Sequence, residues 1–287
     1  MLNMLLIKIM PFSALKILIL KLLGAKIGVG VKIGFLSTIR AKNYSNIIIG
    51  KYVQIGHNVN IKVSHLNIES FTIIGNDVEI SGNGNLIIGK GSYITNMNID
   101  TSGGVRIGHT FACSYGNITS HDYSETWFNP GKKYKNFNIE IGDRVWMGAG
   151  TRALNVNIGD ESLIAGGSIV LSNIPNNSFA IGNPARVIKK NELQKINKEF
   201  LYNSNFRNEL DELYKLSNIG FVEKFLDGNK KDFNAYNIII CNRVNSNDIT
   251  KFNIPIISLF EEKVYNMRPI VLPLLRLLRS YGIFIKD

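Results

Sequence analysis

The sequence predicts a mainly β chain wound as a parallel β-helix, on three observations. Aliphatic residues recur six apart, from Ile27 to Ile33, Ile49 to Ile55, Ile74 to Ile80 and Ile88 to Ile94, then in the triplets Ile141, Met147, Ala153 and Ile158, Ile164, Val170. Gly, Asn or Asp often follows the large residue, and a small residue commonly stands four positions after it, as at Thr151, Ser162 and Ser168. A helix needs a period of about 3.6 and an open sheet alternates between irregular turns, so a strict six points to short strands joined by tight corners. Three strands close a triangular turn. The aliphatic residue then faces inward onto its counterpart one coil away, about 4.8 Å along the axis, while Gly, Asn and Asp accept the left-handed backbone of the corners.

Along the chain, residues 1–24 (MLNMLLIKIMPFSALKILILKLLG) read as a basic, apolar helix, kinked or delayed by Pro11. Lys8, Lys16 and Lys21 would each cost about 2.5–3.5 kcal/mol at a bilayer centre, so a spanning helix is not expected. No basic region precedes an apolar stretch with a small-residue cleavage site, so a secretory signal is not expected either. From Met1 to Ile68 there are nine Lys or Arg and no Asp or Glu, Glu69 being the first acid. Two roles stay open for this end: a peripheral contact of residues 1–23 with an anionic membrane surface, or a cap on the core behind it.

Residues 25–190 carry the coils, clean from Ile139 to Pro175 and ragged before Ile74, where spacings such as Ile55 to Ile74 imply short excursions. The hexads halt at about Ile118 and resume near Ile139. Residues 119–138 therefore leave the coil as a loop with His121 at its root, the arrangement in which a rigid scaffold carries a functional loop. After Lys190 the rhythm stops. NELQKINKEFLYNSNFRNELDELYKLSNIG reads as one or two amphipathic helices with Gly220 as a stop, AYNIIICN and IPIISLF as short buried strands, and the end is apolar with Arg268, Arg276 and Arg279. Residues 191–287 are thus expected to form a mixed α/β appendage.

With 287 residues, 45% hydrophobic and 19% charged, the chain buries a real core. Cys113 and Cys241 have no paired spacing, which fits a reducing, cytoplasmic setting. The net charge of +11 comes without clustered arginines or interleaved aromatics, so nucleic acid is not an expected partner. His57, His65, His109 and His121 offer no close pair for a metal, and none is expected.

The segment IGDRVWMGAGTRALNVNIGDESLIAGGSIVLSNIPNNSFAIGNPARVIKK (141–190), with Val-Trp-Met-Gly at 145–148, Gly-Asn-Pro-Ala-Arg at 182–186 and the His-bearing stretch 118–122, resembles the hexapeptide-repeat acyltransferases. These are left-handed parallel β-helix enzymes, and the likeness over roughly residues 25–190 is to their sugar and polysaccharide O-acetyltransferase branch. The left hand is implied by the resemblance alone, since crossovers are usually right-handed. It further implies a homotrimer, acetyl-CoA as acyl donor and a saccharide acceptor. Acyl transfer to a hydroxyl needs a base, oxyanion donors, a slot for the carrier and a place for the acceptor. By resemblance His121 is the general base, forming no covalent intermediate. The family's orienting glutamate falls on GKKY (131–134), so Asp122, Glu140 or a backbone carbonyl is expected to hold the imidazole, and Asp122 is expected to act beside His121 in catalysis.

On the carrier side the resemblance assigns Trp146, Gly148, Ala149 and Gly166 to the pantetheine path and Arg186 and Lys189 to the phosphates, although the family's Thr-Lys pair is replaced by Leu171 and Ser172. Backbone N–H groups near Gly148 and Ala149 are expected to receive the oxyanion. Asn96 and Asp100 of TNMNID match acceptor-binding positions. The function expected is a cytoplasmic O-acetyltransferase, peripheral to the inner membrane face, in surface polysaccharide or lipopolysaccharide biosynthesis. N-acetylation of a nucleotide-linked amino sugar and a non-catalytic β-helix scaffold stand as alternatives.

Overall fold

The computed structural model describes Lys8, residues 10–190 and the strands Phe221–Glu223, Ile238–Cys241, Ile256–Ser258 and Lys263–Tyr265. The chain divides into two compact units, Met1–Leu193 and Gln194–Asp287. The first is a parallel β-helix. Its face A runs from Lys26–Ile27 to Ile139–Ile141, face B from Lys32–Ile33 to Ala185–Lys190, and face C from Thr38–Ala41 to Ile169–Val170, with six, nine and seven strands respectively. The chain visits A, B and C in turn, so each strand pairs with those one coil before and after.

The predicted hexads are the inward columns of these faces. On face A, Ile27, Ile49, Ile68, Ile88, Ile107, Ile141, Ile158 and Ile174 stand in register. Face B stacks Ile33, Ile55, Ile74, Ile94, Cys113, Met147, Ile164 and Ala180. Face C stacks Ile39, Ile61, Ile80, Ile99, Ile118, Ala153 and Val170. All are buried, and β-branched isoleucine suits a strand whose alternate residues face the core. The small residue four places on now has a cause. Ser37, Thr72, Ser92 and Ser162 are buried, and their hydroxyls donate to the carbonyls of Gly56, Gly89, Gly108 and Pro175 in the next coil at 2.6, 2.9, 3.1 and 3.0 Å.

Two departures from a strict six position the site. The raggedness belongs to one corner, between faces C and A, where the chain runs from Ile39 to Ile49, Ile61 to Ile68 and Ile118 to Ile141 before resuming the column. At the B–C corner two successive coils are one residue short, Ile94 to Ile99 and Cys113 to Ile118. The corners also take more than Gly, Asn and Asp. Tyr52 (φ 56°) and Phe71 (φ 63°) adopt the left-handed region, which costs an L residue about 1–2 kcal/mol. Their rings stack at 5.5 Å and recover about 0.5–1.5 kcal/mol. One coil earlier the same corner needs Gly30, since a Cβ there would lie 2.2 Å from the Tyr52 ring.

Helix α1 (Ser13–Leu22) begins just after Pro11, and Lys8 ahead of it is also helical, so Pro11 falls at a break in the helical path. It closes the first coil: Ile33 N donates to Ser13 Oγ at 2.8 Å, Leu20 is buried, and the Lys16 ammonium donates to the carbonyls of Gly34 (2.8 Å) and Ser37 (3.1 Å). Burial pushes the Lys16 pKa down. Lys16→Met keeps the apolar stem but leaves both carbonyls without that donor, so it should lower the unfolding free energy by about 1–3 kcal/mol. Urea denaturation reads this directly, and an unchanged midpoint would show that the ammonium is not what closes the end. At the far end Ala185–Lys190 pairs antiparallel with Ser178–Gly182 and covers the last edge of face B.

The second unit holds a four-stranded sheet in which Phe221–Glu223, Ile238–Cys241 and Ile256–Ser258 are parallel and Lys263–Tyr265 is antiparallel. Both strands read from AYNIIICN and IPIISLF are present; the amphipathic helices read between 191 and 220 lie outside the described residues. Among the described residues no helix is long and apolar enough to cross a membrane.

Candidate active site

His121 stands where the chain leaves face C. The strand Gly116–Thr119 ends, Ser120 is buried, and His121–Asp122 pairs antiparallel with Lys135–Asn136 before the chain rejoins face A at Ile139. Helix α2 (Ser124–Phe128) forms the tip of this excursion. The coil register decides what meets the imidazole. Ile99 pairs with Ile118, so Asp100, one residue on, lies under the exit of the loop. Its Oδ2 is 2.7 Å from His121 Nδ1 and also accepts from Ser120 N (2.8 Å) and Ser120 Oγ (2.9 Å), while Oδ1 accepts from Ser102 Oγ (2.6 Å).

Burial raises the Asp100 pKa, but hydrogen bonds from the Ser102 side chain, His121, and the Ser120 backbone and side chain outweigh it and bring the carboxyl down to about 2. The carboxylate is therefore acceptor-only at neutral pH, so Nδ1 is the donor in this contact, and the neutral tautomer that fits it has its lone pair at Nε2. The side chain is 29% exposed, and Tyr123, itself stacked on Tyr134, sets its ring edge against the imidazole at 5.0 Å. The result is an oriented, partly exposed imidazole.

A depressed carboxyl stabilises the folded state above its ordinary value of 3.8, and that contribution is lost as pH falls through about 2. Asp100→Asn should therefore flatten the acid limb of stability between these values, as read by denaturant unfolding at graded pH. An unaltered limb would show that the carboxylate is not held in this way.

Asp122 does not hold the imidazole. Its carboxylate accepts from Ser124 N (2.8 Å) and Ser124 Oγ (2.9 Å), which turns the chain into α2 and keeps its pKa low. Asp100, expected on the acceptor side, takes the orienting place instead. Glu140 is exposed on face A, and Glu125, the glutamate inside the loop, pairs with Lys135. Asn96 is an exposed corner residue (φ 48°). Beside Asp100 the outward side of face C carries Asn98, with Asn117 and Thr119 one coil on and Glu79, Ser81 and Arg152 in register with them on the flanking coils, none of which sequence reasoning singled out.

The residues assigned to the carrier gather elsewhere. Trp146 is a half-exposed outward residue of face B, in register with Leu163 and then Phe179. Lys189, on the closing strand, lies 5.4 Å over the Phe179 ring, and Arg186 is exposed on the same strand. Gly148, Ala149 and Gly166 stack at the B–C corner, where a Cβ on Gly148 would lie 2.5 Å from Gly166 N. Gly148 N donates to Ile164 O at 2.8 Å, so this N–H serves the coil and is not an oxyanion donor. The B–C corner and His121 sit at opposite ends of face C, with the strand Thr151–Leu154 between them. At about 3.3 Å per residue that separates them by roughly 13 Å. Among the described residues no three His, Cys, Asp or Glu form a metal-holding group; His57 and His109 instead accept from Phe35 N and Lys90 N at coil corners.

Fold and site together define a parallel β-helix that carries an aspartate-oriented histidine at the root of a loop. No family model matches the chain. It is 51% identical over 53 residues to a putative acetyltransferase of Saccharomyces cerevisiae, which covers 18% of this chain and 27% of that one. It is 34% identical over 134 residues to the galactoside O-acetyltransferase of Escherichia coli, covering 42% and 65%. A solved galactoside acetyltransferase in complex with coenzyme A is similar over 43% of this chain and 66% of its own, at 28% identity and a TM-score of 0.36. The chain is thus a relative of acetyltransferases by sequence, and it spans less than two thirds of the length of these two curated relatives.

Proposed function

We propose that the protein is an acetyl-CoA-dependent O-acetyltransferase acting on a saccharide in surface polysaccharide or lipopolysaccharide biosynthesis at the cytoplasmic side of the membrane. The observation that carries this reading is the 2.7 Å contact between His121 Nδ1 and an ionised Asp100, which leaves Nε2 as a base. Nε2 removes the proton of an acceptor hydroxyl, the oxygen attacks the thioester carbonyl, the carbon–sulfur bond breaks, and the thiolate of coenzyme A leaves with the proton returned by the imidazolium. The outward Trp146, Leu163 and Phe179, with Arg186 and Lys189 at the closing strand, fit a long carrier with an apolar arm and anionic phosphates. Asn98, Asn117 and Thr119 offer the amides and hydroxyls that suit a sugar.

A homotrimer completes the site in this reading. One protomer holds its base and its carrier surface at opposite ends of face C, so a neighbour must bring the B–C corner of its own coil up to His121. The test is a purified full chain given acetyl-CoA and a panel of hydroxyl- and amine-bearing sugars, with products read by tandem mass spectrometry. An acetyl ester is expected; an amide would move the assignment to N-acetylation, and folded protein that binds no coenzyme A by calorimetry would make it a scaffold.

A further inference from the structure

Helix α1 is inverted relative to a helix that meets only water on its outer side. Its central cation, Lys16, is 1% exposed and turned into the coil end, while Leu15, Leu18 and Leu22, spaced to share one helix face, are 41%, 52% and 78% exposed. Phe12, 69% exposed, precedes them. A row of large apolar residues on one face is the informative exception to a mixed surface. Its setting is basic: Lys8, Lys21, Lys26 and Lys32 are exposed, and no acid occurs before Glu69.

We propose that this outer face of α1 is a docking surface for an anionic lipid bilayer, lying in the interface with the leucines in the acyl boundary and the lysines among the headgroups. The sign and arrangement of the surface select that occupant. Lys8 shares a surface pocket with Asp77 and Glu79, but a second copy of this chain would still set Lys21, Lys26 and Lys32 against their own kind, whereas an anionic headgroup layer neutralises them. An α1 of ten residues is far too short to span, so attachment is peripheral. Capping and docking are compatible because they use opposite faces: Lys16 and Leu20 close the coil, and Leu15, Leu18 and Leu22 face away from it.

The test is co-sedimentation of the full-length protein with vesicles of phosphatidylcholine alone and of phosphatidylcholine with about one third phosphatidylglycerol. Binding should rise at least about tenfold with the anionic lipid and fall as salt is raised. L15S/L18S/L22S and, separately, K21E/K26E/K32E should each lose at least about tenfold in binding. These side chains are exposed, and an unchanged circular-dichroism melt in both variants certifies the fold. Indifference of the wild type to anionic vesicles would overturn the proposal, as would wild-type binding by the leucine variant. A leucine variant that instead lowers the oligomer mass in lipid-free ultracentrifugation would assign the face to a second copy.

Discussion

His121→Ala is expected to lower acetyl transfer by at least about a hundredfold, the lower end of what a positioned base contributes, while coenzyme A binding and thermal unfolding stay at wild-type values. The fold should tolerate the change. The imidazole stands at a loop root and is 29% exposed, and its loss leaves Asp100 with the donors of Ser120 and Ser102. The residues proposed for the carrier, Trp146, Leu163 and Phe179, lie on face B of the same protomer, so calorimetric binding of coenzyme A is the control that separates chemistry from collapse. Near-normal turnover in this variant would remove the base assignment and the mechanism with it.

Asp100→Asn is expected to reduce kcat by about a hundredfold or more, with a smaller change in KM. Neutral asparagine is isosteric, but its amide can present a donor to Nδ1, which favours the tautomer carrying its proton on Nε2. That tautomer has no lone pair facing the acceptor. A comparable aspartate-to-asparagine change in a serine protease triad costs about ten-thousandfold in kcat. Asp100 acts through the imidazole and is a positioning residue, so the effect should fall on kcat. A loss confined to KM would instead place Asp100 in the acceptor pocket, where the sequence resemblance first put it.

The coil was legible because isoleucine repeats at a spacing that only a stacked triangular turn explains, and the small residues that accompany it are the hydroxyls that tie one coil to the next. The loop and His121 were legible because the rhythm breaks there. The partner of His121 was not, and the cause is local. Both coils that build the site turn the B–C corner with one residue fewer, so counting in sixes puts Asp100 and Thr119 in the inward column in place of Ile99 and Ile118 and hides the outward carboxylate. With Ile99 and Ile118 paired, Asp100 falls directly beneath the exit to His121. Asp122 looked like the orienter because it is adjacent in sequence, but neighbouring residues on an extended strand point to opposite sides, and its carboxylate turns to Ser124. The distance between His121 and the B–C corner was invisible for a similar reason: spacing fixes a residue's face and coil, and only the closed triangle shows which corners stand apart.

The central claim is that Asp100 fixes His121 with its proton on Nδ1 and its lone pair on Nε2. Nitrogen-15 NMR of histidine-labelled protein at alkaline pH measures this tautomer directly, with H121A supplying the assignment among only four histidines. The geometry predicts a protonated Nδ1 and a bare Nε2 for His121, and loss of that preference in D100N. A bare Nδ1 in the wild type, or a tautomer unaltered by D100N, would contradict it.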